Sequence, residues 1–538
     1  MGFFSRVQVQ SYSPAIVKPP KGKFFFADRT WDRVAWWQSP RLRKLYFYCV
    51  VLILNNVANG FDGSMMNGLQ QSLSYWRDYF GDPQGSRLGI LSSIMTLGSL
   101  SGLGFIPPIC DGWGRKVGVV IGSVIVLLGV GLQAGALSYD MFLASRFLIG
   151  MGMAITIGAA PMLVAEIAHP QDRAIMTTFM GCSYHLGSFI SSWTTFGTLQ
   201  IQSDWAWRLP SLLQCACTLI VISVIYFIPE SPRYLISKDR ADKAKQVLAY
   251  YHADGNEQDE FVTVEYTEIH SMLMMDREAN RSTRYIDFFR TPGNRKRLSL
   301  VVFIALFSQW SGNGIVSYYL RIVLESIGIN DSRDQLGING GLKAMSLVVN
   351  VVFAFFVDRI GRKPMFMIST VGMLVSFTIW TIISARYDIE GGNNAGLGRG
   401  VVVMIYFFDL SYNFKTGLGT TYNMEILPYG LRAKGTTLAS LTILIALFFN
   451  QFVNPIALDE IQWRYYIFYC CFLLFEVWYI WKYVVETRYT PLEEVARYFD
   501  GDEADVATVT NAQVEKSGME EGGAVPKTDA AHVEVRTV

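Results

Sequence analysis

The sequence contains little charge for its length. Only 17% of its 538 residues are charged and 51% are apolar, whereas an average soluble protein carries about 25% charged residues. A chain of this composition is too apolar for an ordinary soluble enzyme. The chain has 46 basic and 45 acidic residues, so its net charge is close to zero. The basic residues are nevertheless distributed unevenly among the segments between the apolar runs.

The motifs of metal and nucleotide chemistry are also missing. The seven cysteines lie in or next to apolar runs, and no Cys–His spacing typical of a metal site occurs. No loop of the form Gly-x-x-x-x-Gly-Lys-Ser/Thr is present, which argues against an ATP-driven pump. No nucleophile–base constellation stands out. We therefore expect no enzymatic activity and no cofactor.

What the sequence does contain is a series of long apolar runs. About twelve of them reach the roughly 20 residues that a helix needs to cross a bilayer. This predicts an all-α membrane protein with about twelve transmembrane helices. The spans are predicted at about 45–67, 88–109, 117–137, 141–167, 178–199 and 209–228, and then at about 298–324, 341–357, 364–385, 401–423, 436–458 and 465–485.

A short hairpin segment occurs twice and indicates an internal duplication. Residues 111–116 (DGWGRK) and 358–363 (DRIGRK) each place an acid, a glycine turn and a basic pair between two apolar runs. Later in each half a Glu is followed at the same spacing by an Arg, and each half closes on a related Glu-containing signature, at 229–233 and 486–488. Paired six-helix halves with a substrate site between them are a known transporter architecture.

The basic residues concentrate in loops that would share one side of the membrane. By the positive-inside rule this side is cytoplasmic, together with both termini. The chain then divides into an N-terminal cytoplasmic segment, a six-helix half, a cytoplasmic linker with short helices, a second six-helix half and a largely disordered acidic tail. These parts are predicted at residues 1–44, 45–228, 229–297, 298–485 and 486–538.

Two charged residues lie inside predicted spans of the first half. Asp62 is in the first span and Arg146 is at the start of the fourth. Because a carboxylic acid inside a membrane is costly, it is a candidate functional group by default. One interpretation is a static ion pair that holds the bundle together. The other is a carboxylate that binds and releases a proton as the arginine moves.

The seventh span concentrates amide, hydroxyl and aromatic groups. It contains Gln309, Asn313, Tyr318 and Tyr319 around an interrupting glycine. Amides both donate and accept hydrogen bonds, as a neutral ligand rich in hydroxyl groups requires. The same groups could instead bond neighbouring helices without any ligand.

The tenth span carries an acid and a base that do not share a helix face. Asp409 and Lys415 are six positions apart, so a direct pair is not expected. Lys415 either pairs with an acid on a neighbouring helix or faces a cavity, where it would favour a carboxylate ligand. Glu476 in the last span has no partner that the sequence identifies.

Residues 45–495 resemble the sugar porter family of the major facilitator superfamily. The motifs that carry the resemblance are 111–116, Glu166 with Arg173, 229–233, 358–363, Glu425 with 432–435, and 486–488. The segments 307–314 and 205–210 are most similar to the fungal lactose permease and cellodextrin transporter branch.

The resemblance implies alternating access to a central sugar site, with Asp62 and Arg146 as the proton-coupling pair. Sugar contacts are expected from Gln309, Asn313, Tyr318, Tyr319, Asn450, Asn454, Tyr422 and Lys415. It also implies a set of salt bridges that closes the inner side when the carrier is open outwards. Its members are Asp111, Arg115, Glu166, Arg173, Glu230, Arg233, Asp358, Arg362, Glu425, Arg432 and Glu486.

Several positions depart from the family pattern and concern the substrate. Ser308, Gly181, Thr420 and Lys415 stand where relatives carry amides or aromatic residues. We expect a monomeric plasma-membrane sugar transporter working by proton symport, with a small-molecule sugar and the lipid bilayer as partners and no nucleic acid. The alternatives are a facilitative uniporter, a carrier of an acidic sugar or other organic acid, and a sugar sensor that does not transport.

Overall fold

The fold is a bundle of long helices, as expected for a chain whose backbone polar groups must be satisfied inside lipid. A computed structural model describes residues 20, 22–27, 29–72, 74–391, 394–488, 495 and 498–500, without the side chains of 71, 72, 74, 75, 279–282 and 354–359. Over these residues the chain forms 22 α-helices, two short 3₁₀ helices and one two-stranded hairpin.

The first half contains nine α-helices and one 3₁₀ turn. The pair α3 and α4 forms one bent passage with an angle of 43° between its parts, and α8, α9 and the 3₁₀ turn follow one another as the sixth passage. The bounds are α1 (Pro40–Ser72), α2 (Ser74–Phe80), α3 (Gly85–Leu103), α4 (Ile106–Gly112), α5 (Arg115–Ala134), α6 (Tyr139–Ile167), α7 (Arg173–Thr198), α8 (Trp205–Leu213), α9 (Cys215–Val224) and the 3₁₀ turn Ile225–Phe227.

A linker of four helices leads to the second half, which repeats the plan with more interruptions. The linker helices are α10 (Pro232–Ser237), α11 (Ala241–His252), α12 (Glu260–Ser282) and α13 (Asp287–Arg290). The second half has α14 (Pro292–Trp310), α15 (Asn313–Tyr318), α16 (Leu320–Ser326), α17 (Ser332–Ile360), α18 (Arg362–Ile389), α19 (Ala395–Asn413), α20 (Leu418–Ile426), α21 (Tyr429–Ile461), the 3₁₀ turn Gln462–Arg464 and α22 (Tyr465–Tyr483).

Each predicted span falls on one of these helices or on helices in direct succession. By length and composition alone, six helical segments of the described chain could cross a membrane, or seven when α3 and α4 count as one span. One of the six is the 55-residue stretch Tyr429–Tyr483, which folds back on itself at the 3₁₀ turn. The all-helical membrane fold in two related halves is therefore as predicted.

The two halves meet on the side of the bundle away from the linker. A continuous buried core there joins residues of both halves, such as Trp76 and Trp207 with Leu324 and Leu458. On the side of the linker, which we call the linker side, the buried cores of the two halves are separate. The molecule is therefore closed on the far side and open on the linker side.

The start of the chain is more ordered than the sequence suggested. Strands β1 (Lys23–Phe26) and β2 (Arg29–Asp32) form an antiparallel hairpin inside the N-terminal segment predicted at residues 1–44. Phe24 is buried, with its ring 5.9 Å from that of Phe261 in α12. The sequence could not predict this hairpin, because its aromatic partner lies more than 200 residues further along the chain.

Part of the predicted disordered tail also has a defined place. Residues 498–500 are helical, and the carboxylate of Asp500 accepts hydrogen bonds of 2.8 and 2.7 Å from the guanidinium of Arg297. Arg297 lies at the start of α14 and is almost fully buried. This two-point contact fixes the described end of the tail to the second half. Residues 501–538 lie outside the described part of the chain.

Candidate functional site

A cavity of about 640 Å³ lies between the two halves. It extends towards the linker side, where Leu103 and Ile106 of the first half face Ser440 and Leu444 of the second. Its middle is polar and aromatic, which suits a ligand with both hydroxyl groups and apolar ring faces. The polar lining residues include Asn59, Arg146, Tyr184, His185, Ser188, Gln309, Asn313, Tyr318, Lys343, Asp409 and Tyr412.

The break between α14 and α15 places two amides at the cavity. Gly312 takes a left-handed conformation with φ of 94°, which ends α14 and lets α15 start at Asn313. The Tyr412 hydroxyl bridges α14 and α15, because it accepts a hydrogen bond from Asn313 Nδ2 at 2.9 Å and donates one to the Ser308 carbonyl at 3.0 Å. Gln309 Nε2 has one long bond of 3.3 Å, to the Ser308 hydroxyl. The amides of Gln309 and Asn313 thus keep bonding capacity for a ligand.

Three predicted sugar contacts lie behind the cavity wall. Asn450 donates to the Gln309 carbonyl at 2.9 Å and accepts from Asn454 at 2.7 Å. The buried Tyr319 hydroxyl donates to the Gln451 carbonyl. Among the lining residues that the structure describes, Asn450, Asn454 and Tyr319 are missing. They support the broken helix and do not contact the cavity, whereas Gln309, Asn313 and Tyr318 line it.

Two further residues predicted to contact the sugar, Lys415 and Tyr422, lie at the interruption between α19 and α20 and do not line this cavity. Tyr422 is fully buried on the linker side, and its hydroxyl accepts from the Val485 backbone N–H at 3.0 Å. Lys415 points towards α14 and α22, with Nζ at 2.8 Å from Glu476 and 2.7 Å from the Ser311 hydroxyl. Lys415 therefore pairs with an acid on a neighbouring helix, one of the two alternatives expected from the sequence, and this acid is Glu476. Neither Lys415 nor Tyr422 is among the described residues that line this cavity.

The predicted pair of the first half forms next to the cavity. Arg146 Nη1 donates to Asp62 Oδ1 at 2.7 Å, and the Gln214 amide donates to the same oxygen. Asp62 is fully buried, and within the described chain its second oxygen has no hydrogen-bond partner. Because Arg146 also lines the cavity, the pair connects the ligand space to a buried carboxylate. Gln214 was not predicted from the sequence, although an amide in an apolar run was its visible signal.

On the linker side of the first half, two glutamates bind the start of α5. Arg115 Nε donates to Glu166 at 3.1 Å, and the Ser231 hydroxyl donates to the same carboxylate. Glu230 accepts from the backbone N–H groups of Lys116 at 3.3 Å and Ser231 at 2.9 Å. Burial raises the pKa of the Glu230 carboxyl, while these backbone hydrogen bonds lower it. Glu230 thus lies at a helix N-terminus, where a negative charge is stabilised.

The second half repeats this arrangement at the corresponding Arg and Glu positions. Arg362 donates to Glu425 at 2.8 and 3.1 Å, and the Thr487 hydroxyl donates to Glu425 as well. Glu486 accepts from the N–H groups of Arg362 at 2.9 Å and Lys363 at 3.0 Å. The duplication read from the sequence is therefore also a duplication of hydrogen-bond geometry.

Comparison with known proteins agrees with this two-half plan. The family model described as "Sugar (and other) transporter" matches residues 48–499. The chain belongs to this family. The glucose transporter described as high-affinity from Kluyveromyces lactis is 26% identical over 479 residues, covering 85% of each chain. The MFS-type transporter criB of Aspergillus cristatus is 28% identical over 385 residues, covering 71% of this chain and 81% of that one.

A solved structure supports the same fold. The inward-open conformation of the xylose transporter XylE from E. coli superposes with a TM-score of 0.68. The sequences are 20% identical, and the match covers 85% of this chain and all of XylE. This likeness concerns the fold. The protein is a transporter of this family and not an enzyme.

In this open state the transporter's ionic residues form contacts within each half. Asp111 lies 3.4 Å from Arg115, in the same half as Glu166. We call the predicted set of inner salt-bridge residues the latch. Among the side chains that the structure describes, no ion pair joins a latch residue of one half to a latch residue of the other. Asp358 lies outside the described side chains.

The remaining predicted latch residues have other contacts. Arg173 reaches Glu265 of the linker at 3.9 Å, and Arg233 contacts the sulfur of Met272 at 4.0 Å. Arg432 donates to the Leu427 carbonyl at 3.3 Å. The linker therefore contacts Arg173 of the first half and holds Arg233 within itself, which the motif spacing alone could not show.

One lining residue had no place in the sequence argument at all. Lys343 lies in α17, inside the apolar run predicted at 341–357. The structure places it at the cavity, together with Asp409 of α19. The signal was visible as a cation three positions inside a predicted span, which is costly unless it serves a site.

Proposed function

We propose that the transporter carries a sugar together with a proton across the plasma membrane by alternating access. The linker side is then the cytoplasmic side and both termini are cytoplasmic, as the basic loops favour. The separate cores on this side correspond to an inward-open state. Membership of the sugar transporter family supports the substrate class, and the Asp62 site supports the coupling.

The observation that carries the proton coupling is the unpartnered oxygen of Asp62. Its Oδ1 is held by Arg146 and Gln214, whereas Oδ2 is buried without a partner among the described residues. Such an oxygen can take a proton without breaking an existing hydrogen bond. Protonation would remove the charge that holds Arg146, and Arg146 lines the substrate cavity. Proton binding and ligand binding would thereby affect the same side chain.

The sugar would bind between the two halves near the broken helix. Gln309 and Asn313 offer amide groups, and Tyr318 and Tyr412 offer ring faces and hydroxyls. A ligand that contacts both halves favours their closing around it, because the closed state has more contacts with it than the open one. This is how binding at the centre would drive the alternation between the two open states.

The test is uptake of labelled glucose, xylose, lactose and cellobiose into transport-deficient cells, with the external pH recorded. We expect sugar entry with alkalinisation of the medium. Asp62→Asn should abolish accumulation of sugar against its concentration gradient. It should keep the exchange of labelled for unlabelled sugar at equal concentrations on the two sides. The matched control is Asp140→Asn, an exposed acid in the first turn of α6, which should behave as the wild type.

A facilitative uniporter is the other candidate, in which the Asp62–Arg146 pair is static. It predicts sugar entry without proton movement and no effect of Asp62→Asn on the equilibrium distribution. That outcome would reject coupling at Asp62 and leave sugar transport standing.

A further inference from the structure

The centre of the cavity contains a cation that the sugar and proton sites do not use. Lys343 lies 11 residues after the start of α17, about 16 Å along the helix and therefore near the membrane centre. Its side chain lines the cavity together with Asp409 and His185. A lysine at this depth is expensive and marks a substrate or ion pathway.

Within the described chain, Lys343 Nζ has no hydrogen-bond or ion-pair partner. Its neighbour Asp409 is bonded without it, because Asp409 Oδ2 accepts from the Ser346 hydroxyl at 2.6 Å and from Asn413 Nδ2 at 3.0 Å. Lys415 differs from it, since Lys415 has three partners in the protein and lines a smaller cavity of about 240 Å³ instead. Lys343 is thus a cation with its bonding capacity directed to the ligand space.

We propose that Lys343 binds the carboxylate of the substrate, and that the transporter's preferred substrate is a sugar acid carrying one negative charge. This rests on the proposed sugar transport. The ammonium would hold the carboxylate, and the amides of Gln309 and Asn313 would hold hydroxyl groups of the same molecule. A charge-assisted hydrogen bond in a site of low dielectric is stronger than a neutral one.

The charge balance of the cavity selects a single carboxylate. Arg146 is already paired with Asp62, so Lys343 is the remaining cation of the described lining with capacity for an anion. A phosphorylated sugar would carry nearly two negative charges against one free ammonium, and Asp409 beside it would repel the second charge. The geometry therefore favours a uronate or an aldonate over a sugar phosphate.

The same balance makes transport of such a substrate electroneutral. One carboxylate and one proton together add no net charge to the carrier, whereas a neutral sugar with a proton adds one positive charge. Uptake of the acid should then be driven by the proton gradient and be insensitive to the membrane potential. This property separates the two kinds of substrate independently of affinity.

The experiment compares galacturonate with galactose, which differ only in having a carboxylate or a hydroxymethyl group at C6. The purified full-length protein is reconstituted into liposomes, and counterflow exchange of each labelled compound is measured, with gluconate and glucose as a second pair. The wild type should prefer the acid roughly 10- to 100-fold, the range of a hydrogen bond to a charged group. Proton-driven galacturonate uptake should not change when valinomycin imposes a potassium diffusion potential.

Variants assign the preference to this lysine. Lys343→Gln should lose the preference for the acid, and Lys343→Arg should retain it. Asp409→Asn should tighten galacturonate exchange because it removes a competing negative charge, so the two neutralising changes have opposite effects. A purely structural Lys343–Asp409 pair would instead make both changes damaging to both compounds. The control Lys243→Gln, on the exposed face of α11, should match the wild type.

Two outcomes would overturn the proposal, and they differ in what they leave standing. If the wild type exchanges galactose and glucose better than their acids, and Lys343→Gln does not change the ratio, the sugar-acid assignment is wrong while sugar transport holds. If none of the four compounds is exchanged by protein that is monodisperse and thermally stable, both the assignment and sugar transport are wrong.

Discussion

The ammonium of Lys415 lies 2.8 Å from the carboxylate of Glu476, and both groups are buried inside the second half. The Ser311 hydroxyl bonds both charges, accepting from Lys415 at 2.7 Å and donating to Glu476 at 3.0 Å. The pair therefore joins α22 to the interruption of α19 and α20 and to the end of α14. It thereby stabilises the positions of these helices at places where their backbone hydrogen bonding is interrupted.

Removing one charge of this pair should damage the protein more than removing both. Lys415→Met and Glu476→Gln each leave one buried charge without its partner, a change that typically costs about 3–5 kcal/mol. We expect each single variant to lower the thermal midpoint in detergent by several degrees. The double variant should recover most of the loss. Equal losses in the single and double variants would show that the two charges do not stabilise one another here.

Glu166 and Glu425, which accept hydrogen bonds from Arg115 and Arg362, should contribute equally to the transport rate. Glu166→Gln and Glu425→Gln each weaken a partly buried arginine contact on the linker side. We expect either variant to reduce the transport rate several-fold while changing equilibrium ligand binding by less than about threefold, since single pairs of this exposure contribute about 1 kcal/mol or less.

The measurement is initial uptake alongside ligand binding in detergent. Glu257→Gln, an exposed change in the linker, is the matched control. A strong effect in one half and none in the other would contradict the functional equivalence that the repeated geometry suggests.

The sequence predicted the elements whose cause is local or repeated. Apolar length predicted the helices, and the repeated Asp-Gly-Arg-Lys pattern predicted two equivalent halves. Asp62 and Arg146 were paired correctly because each is a rare charge in the same half. Which of its two alternatives Lys415 follows could not be predicted, because its partner comes 61 positions later and the direction of its side chain depends on the interruption after Asn413. No sequence pattern specifies such a rotation.

The cavity lining was harder to predict than the fold for the same reason. Asn450 and Asn454 have amide groups that suit sugar binding. The hydroxyls of Tyr465 and Tyr469, however, donate hydrogen bonds of 3.0 and 2.7 Å to the side-chain oxygen of Asn454. Lys343 has less obvious chemistry for a sugar, yet it faces the ligand space. Which polar groups face a ligand depends on which of them find protein partners first, and those partners come from distant helices.

A methyl group added at Gly361 should displace the carboxylate of Glu486, which lies next to it. Gly361 has φ of 100°, and a Cβ there would lie 2.9 Å from Glu486 Oε2. Gly361→Ala must both strain the backbone, by about 1–2 kcal/mol, and displace Glu486 from the N–H groups of Arg362 and Lys363. Gly417→Ala is the matched control, since Gly417 has φ of 76° with open space around its Cβ position.

We expect Gly361→Ala to lower the thermal midpoint clearly more than Gly417→Ala, and to reduce transport as well. Gly361 combines its positive φ with ψ of 159°, whereas Gly417 has ψ of −18°, so the difference between the variants reports the backbone strain at Gly361 and the contact with Glu486 together. Equal effects in thermal melts and in uptake would mean that the Glu486 contact contributes little.

Acidification should release the N-terminal hairpin. His169, in the loop between α6 and α7, packs against Phe24 at 5.7 Å and stacks on Phe261 at 5.2 Å. Burial lowers the pKa of His169 to about 2, with smaller contributions from His252 and Arg173. The docked state therefore keeps His169 neutral, whereas the undocked state regains the usual pKa near 6.5. Below that pH the undocked form takes up a proton that the docked form excludes.

Docking of the hairpin should consequently be pH-independent above about pH 7 and weaken by about 1.4 kcal/mol for each pH unit below about 6.5. Trypsin cleavage after Arg29, which is held at 2.6 Å from Glu260 in the docked state, reports the undocked fraction. We expect cleavage to accelerate from pH 7 to 5.5 after correction for the enzyme's own pH profile. His169→Gln should remove this dependence and His270→Gln, on α12, should keep it. A cleavage rate with the same pH dependence in His169→Gln as in the wild type would show that another group controls the docking.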